Sequence, residues 1–183
     1  MSIKTISTRV AYSNRWMTVR EDVIQRTDGS RGIYSVVEKP DFALVIPIEE
    51  EHLYLVEQYR FPVGARYLEF PQGSWERNPS ADPITVARGE LQEETGLCAG
   101  RMDYVGHLFV AYGMSSQGFH VFRATQLIQG KPNPENEEQD LVVKRVPVAV
   151  FEQLVRSGGI KDAASVSAWA LLAMRSGELS GAG

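Results

Sequence analysis

ARGELQEETGL, residues 87–97, sets Glu90, Glu93 and Glu94 within five positions and puts Gly89 directly before the first of them. On a helix, at about 100° per residue, Glu94 lies roughly 40° to one side of Glu90 and Glu93 roughly 60° to the other. The three carboxylates therefore share one face. Ile84, Ala87 and Leu91 fall beside it as a narrow apolar stripe for a core, while Thr85, Arg88, Gln92 and Thr95 point to solvent. Like charges at these spacings destabilise a helix, and an interior glycine costs about 1 kcal/mol relative to alanine. Two arrangements make the repulsion tolerable: an acidic face open to water, or a hard divalent cation seated on it. Asp82-Pro83 supplies an N-cap and a first-turn proline. Gly96 supplies the stop, so a helix is expected over 83–95.

Working outward, most of the preceding and following chain has strand character. TVREDVIQ (18–25), the turn signal TDGSRG (27–32) and IYSVVE (33–38) predict an N-terminal hairpin. FALVIPI (42–48) has the continuous apolar run of a strand buried on both faces, with HLYLVEQY (52–59) as its partner. Shorter strands are expected at YLEF (67–70), MDYVGHLF (102–109) and GFHVFRAT (118–125). VAVFEQLVRSG (148–158) and DAASVSAWALLAMRSG (162–177) each read as a helix closed by glycine. Strands mixed with helices over 183 residues predict an α+β fold, a sheet sandwiched between helices.

Hydrophobic residues make up 43% and charged residues 23%, the balance of a globular protein. A net charge of −4 excludes the global basic field that gathers nucleic acid without sequence preference, so no nucleic-acid partner is expected. FALVIPI, the longest apolar run, is far too short to span a bilayer, and no membrane partner is expected. The start of the chain has no apolar run of the signal-peptide kind. The single cysteine, Cys98, cannot form an intrachain disulfide, which suits a reducing, cytoplasmic location. It reads as an inert small hydrophobe. His107 and His120 have no metal-ligand spacing along the chain and read as structural.

The wider context of the glutamates, EFPQGSWERNPSADPITVARGELQEETGL (69–97), resembles the Nudix hydrolase signature, G-x5-E-x7-R-E-U-x-E-E-x-G-U with U aliphatic. Glu90, Leu91, Glu93, Glu94, Gly96 and Leu97 match its second half without a gap. Gly73 serves as the opening glycine if the loop holds two extra residues. The pattern's first acidic position has no glutamate, Glu76 being the nearest, and its arginine is replaced by Gly89. Arg88 does not substitute, because it lies on the far side of the helix from Glu93. Either another cation steadies Glu93, or the bare backbone at 89 lets a neighbouring segment approach closely.

The resemblance runs along most of the chain. EKPDFALVIPI (38–48), LVEQYRFPVG (55–64), YLEFPQG (67–73), PENEEQD (134–140) and SGGIKDAASVSAWALL (157–172) resemble the ADP-ribose pyrophosphatase branch. That implies a Nudix fold, a mixed β-sheet between helices, with an N-terminal hairpin lobe at 1–40 and a catalytic domain at 41–177; the composition of SGELSGAG separately predicts a flexible tail at 178–183. It implies Mg²⁺-dependent hydrolysis, with Mn²⁺ as a substitute, of the diphosphate bond of a nucleoside diphosphate sugar. ADP-ribose would give AMP and ribose 5-phosphate. Another sugar such as GDP-mannose, or a non-catalytic nucleotide-sugar-binding domain, are the alternatives. By the same resemblance Glu90, Glu93, Glu94 and the main-chain carbonyl of Gln72 hold metal, and Glu94 counts among the catalytic groups too. A base comes from the 134–140 loop, Glu138 before Glu137, with Glu135 as a further substrate contact. Arg60 touches the diphosphate. Glu69 reaches the metal shell or pairs with an arginine. Trp16 stacks on the nucleobase. Relatives in the branch are homodimers that exchange N-terminal strands, and a homodimer is expected. Without the resemblance, each of these residues has a plain reading as a surface charge, an ion pair or an aromatic strand anchor.

Overall fold

A computed structural model of the protein describes residues 3–75, 78, 80–130 and 140–177. The N-terminal lobe is a three-stranded antiparallel sheet in the order β1 (Lys4–Ser13), β2 (Thr18–Gln25), β3 (Arg31–Glu38). The expected hairpin is its β2–β3 half. The sequence reading missed β1 for a physical reason: all of its residues are exposed, and two register shifts against β2 break its alternation. It therefore carries no buried period to detect.

The larger sheet has the path β10-β5-β4-β9-β8. Its strands are β4 (Phe42–Glu49), β5 (His52–Arg60), β8 (Leu97–Phe109), β9 (Gly118–Gln129) and β10 (Val142–Pro147). β4 and β9 run parallel through its centre and the other pairs are antiparallel. FALVIPI takes the central place its apolar run predicts. Leu44 and Ile46 pack on one face with Phe151 and Leu172, while Ala43 and Val45 pack on the other with Ala87 and Leu91. Helix α1 (Pro83–Thr95) covers the second face, and α2 (Val148–Ser157) and α3 (Ala163–Ser176) cover the first. The sandwich of helices around a mixed sheet is as expected.

The β4–β5 hairpin splays apart. Only Ile48 and Glu49 pair with Leu53 and His52, across a two-residue turn in which Glu50 and Glu51 have φ of 49° and 59°. Beyond that, β5 pairs with β6 (Ala65–Glu69) and β4 pairs with β7 (Gln72–Gly73). This split lays Gln72 and Gly73 against α1, where the glutamates are. β8 and β9 both run further than expected, β8 starting directly after the α1 cap at Gly96. Among the described residues, no helix is long and apolar enough to cross a membrane.

Candidate functional site

Helix α1 begins where Asp82 accepts a hydrogen bond from Ile84 N, with Pro83 in the first turn, and ends at Gly96 in the left-handed region at φ 73°. Val86, Ala87 and Leu91 fill the core, with Ile84 only partly covered. Thr95 is not solvent-facing. It is 3% exposed, and its hydroxyl donates to Leu91 O and accepts from Leu97 N, which closes the last turn onto β8.

The opposite side of α1 meets β7. Glu90 is 6% exposed and Glu94 1% exposed, so both carboxylates are withdrawn from water. A Cβ built on Gly73 would lie 2.4 Å from Glu90 Oε2, so only glycine leaves room for that carboxylate. Gln72 N donates to Glu94 Oε2 at 3.1 Å. Gln72 Nε2 donates to Asp162 Oδ2 at 3.2 Å, while Gln72 Oε1 is buried without a hydrogen-bond partner among the described residues. Asp162 caps α3, and the same oxygen accepts from Ser165 N and Ser165 Oγ at 2.8 and 2.7 Å. Ser165 Oγ in turn accepts from Phe70 N at 2.8 Å. The start of α3 thus pins the chain from Phe70 to Gln72 against the glutamate helix.

Gly89 has a clear structural reason. The Trp75 indole lies on it, and a Cβ there would stand 2.4 Å from Trp75 Cζ2. The close approach of a neighbouring segment, one of the two explanations for the missing arginine, is present here.

Glu69 is 2% exposed and sits between Gln58 Nε2 at 2.6 Å and the Arg60 guanidinium, whose Nε lies 3.1 Å from Glu69 Oε2 and whose Nη2 bonds Oε1. Burial pushes the Glu69 carboxyl above the usual carboxylate range, against the pull of Arg60. The arginine pair foreseen as one role for Glu69 is present.

A cleft of about 770 Å³ brings these parts together, within the range of a small-molecule site. Its floor holds Glu90, Glu93, Gln72 and Gly73, and its walls carry Arg60, Trp16, Arg15, Lys39, Phe42, Gln117 and Asp162. Trp16 and Arg15 belong to the β1–β2 turn, where Asn14 Oδ1 accepts from both Trp16 N and Met17 N at 2.9 Å. Arg15 stacks on the Trp16 ring at 4.0 Å from its centroid. Of the expected site residues, Trp16, Arg60, Gln72, Glu90 and Glu93 line the cleft directly. Glu94 and Glu69 stand behind it, holding Gln72 and Arg60. Glu135, Glu137 and Glu138, and the nearest box candidate Glu76, lie outside the described residues. Arg15, Lys39, Trp75, Gln117 and Asp162 were not foreseen, since nothing in their local sequence sets them apart. Cys98 is exposed.

The donor set suits a hard divalent cation. Three carboxylates on one helical face, two of them buried, carry a charge density that such an ion neutralises. The Gly73 cradle and the partnerless Gln72 Oε1 leave space and an acceptor on the facing strand.

Two known domain families match successive parts of the chain. Residues 3–37 match the nucleoside diphosphate sugar hydrolase N-terminal domain, and residues 39–169 match the NUDIX domain. The chain is 29% identical over 168 residues to a methanol dehydrogenase activator of Bacillus methanolicus, covering 90% of this chain and 89% of that one. It is 28% identical over 166 residues to an ADP-ribose pyrophosphatase of Mycobacterium tuberculosis, covering 90% and 80%. A solved structure of an ADP compounds hydrolase superposes with a TM-score of 0.84 at 22% identity, covering 99% of this chain and 97% of that one.

Proposed function

The chain belongs to the Nudix family, and on that premise we propose that it hydrolyses the diphosphate bond of a nucleoside diphosphate sugar, ADP-ribose foremost. The products would be AMP and ribose 5-phosphate. The observation that carries this reading is a single cleft in which an acidic floor, Glu90 and Glu93, faces the cations Arg15, Lys39 and Arg60. A diphosphate bridged to Mg²⁺ needs both. The match of residues 3–37 to a nucleoside diphosphate sugar hydrolase domain and the likeness to an ADP-ribose pyrophosphatase support the substrate class.

Mg²⁺, or Mn²⁺ in its place, would be held by Glu90, Glu93, Glu94 and the Gln72 carbonyl, and would supply charge neutralisation and a more acidic bound water. The remaining work falls to the chain. Glu69 fixes the Arg60 guanidinium, which then meets the diphosphate as an oriented fork. Asp162 orients Gln72, and Glu94 holds Gln72 N, so the strand facing the metal cannot slide. Trp16 offers one ring face to the purine, its other face being covered by Arg15. A glutamate of the 134–140 loop, Glu138 before Glu137, takes the proton of the attacking water, while Glu135 contacts substrate. The new P–O bond forms as the bridging P–O bond breaks, and the leaving phosphate departs with the bridging oxygen. Residues 1–40 act as a lobe that pairs with a second copy in a cytoplasmic homodimer, with 41–177 as the catalytic domain. The wholly exposed strand β1, bearing Ile6, Val10 and Tyr12, is suited to such exchange.

The test is product analysis with ADP-ribose, GDP-mannose and other nucleotide sugars, with and without Mg²⁺, on the intact protein, Glu93→Gln and Glu94→Gln. Metal-dependent release of AMP, lost by at least a hundredfold in both variants, is expected. Tight binding of a nucleotide sugar without turnover would instead make the chain a sensor.

A further inference from the structure

The β8–β9 ladder sets His107 directly opposite His120, with ring centroids 4.7 Å apart. On the far side of β9, the parallel strand β4 places Ala43 beside His120, which brings Asp41 to the same rim. Asp41 Oδ2 lies 2.9 Å from His107 Nε2 and 3.8 Å from His120 Nε2. Its other oxygen accepts from Gly118 N at 2.7 Å, so the main chain fixes the carboxylate. A Cβ on Gly118 would stand 2.3 Å from His107 Nε2, so the glycine makes the place in which that imidazole lies. Sequence spacing could not reveal this group, because its members come from β8, β9 and the residue just before β4.

One donor atom from each residue lies within 4.8 Å of the other two. A tetrahedral cation with bonds of about 2.0–2.1 Å asks for donors about 3.3 Å apart. The Asp41 Oδ2 distances of 2.9 Å to His107 Nε2 and 3.8 Å to His120 Nε2 bracket that spacing. Two imidazole nitrogens and one carboxylate oxygen are donors for zinc and its first-row neighbours, whereas Mg²⁺ prefers an all-oxygen shell. Burial, then the neighbouring His107, holds the His120 pKa below the usual histidine range, which favours the neutral ligating form. A second cavity of about 250 Å³, lined by Asp41, His120, Trp75, Asn78 and Pro83, gives room for water or a small anion at a fourth position.

We infer that Asp41, His107 and His120 form a second metal site, for Zn²⁺ or a similar borderline cation, made of residues none of which belongs to the glutamate face. Lys39 and Phe42, on either side of Asp41, line the main cleft. Ligation here therefore fastens that wall of the cleft to the β8–β9 ladder.

The experiment uses the intact, chelator-treated protein in excess Mg²⁺, titrated with Zn²⁺ and followed by calorimetry and by ¹⁵N NMR of the imidazoles. His52 is the internal control, being the third of three histidines and bonded instead to Glu50 O at 2.8 Å. One equivalent of Zn²⁺ should bind, shifting two imidazoles and sparing His52. Asp41→Asn and His120→Asn should each weaken that binding at least a hundredfold. No imidazole response, or an equal response from all three, would overturn the inference, and this readout stands even if the variants fail to fold.

Discussion

Gly89→Ala inverts the usual rule for helices. In an exposed helix interior the change stabilises by about 1 kcal/mol, because alanine restricts the unfolded chain and glycine does not. Here the new methyl would stand 2.4 Å from Trp75 Cζ2 and 3.3 Å from Cε2. Ordinary carbon contacts begin near about 3.5 Å, so the indole must retreat by roughly 1 Å. Trp75 packs against the core cluster beneath α1, and overpacking of that kind costs about 1–3 kcal/mol. The variant should therefore be neutral or up to about 2 kcal/mol less stable than the parent. Removing the ring reverses the sign: in a Trp75→Ala background, Gly89→Ala should stabilise by about 1 kcal/mol. Equilibrium urea denaturation of the four proteins gives a coupling energy of about 1–3 kcal/mol between the two positions. If Gly89→Ala stabilises equally with and without the indole, the account of why this helix lacks its arginine is wrong. Because Trp75 also lines the cleft, the single variant should raise KM for the nucleotide sugar as well.

Gly73→Ala should displace the Glu90 carboxylate from its cradle, lowering turnover assayed with added Mg²⁺ at least tenfold while stability, measured by urea, changes by about 1 kcal/mol or less. Ser165→Ala leaves the buried Phe70 N without its acceptor, so thermal and urea denaturation should show a loss of about 1–3 kcal/mol. The Thr8 hydroxyl, and Arg20 beside it, hold the Asp22 carboxyl below the usual carboxylate range. A depressed carboxyl stabilises the fold above its unfolded pKa of about 3.9 and loses that contribution as pH falls through its folded value. Unfolding of Asp22→Asn followed from pH 7 to 2 should accordingly show a shallower acid limb than the parent, and an unchanged limb would remove Asp22 from that role.

The fold was legible wherever burial leaves a period. FALVIPI, the α1 caps at Asp82 and Gly96, and the two glycine-closed helices carried their own signals. β1 was not legible, because a strand exposed on both faces has no apolar side to repeat. Within the site, Glu90, Glu93 and Glu94 could be placed by helical pitch alone, and Arg60, Glu69 and Trp16 only through likeness to relatives. Arg15, Lys39 and Asp162 were beyond reach, since a lone charge acquires meaning only from what the folded chain sets across from it. The role of Gly89 was left open for the same reason, as its partner Trp75 lies fourteen residues away in the sequence.

The clasp from Phe70 N to Ser165 Oγ and from Gln72 Nε2 to Asp162 joins residues 95 and 90 positions apart. Closing so long a loop is slow relative to forming local helices and hairpins. During synthesis the strand that faces the glutamates is held only by β4 and Glu94, and lacks its clasp to α3 until residue 165 has left the ribosome. The enzyme should thus acquire its shape before its competence, and a nascent chain halted short of residue 160 would be folded in part yet inert.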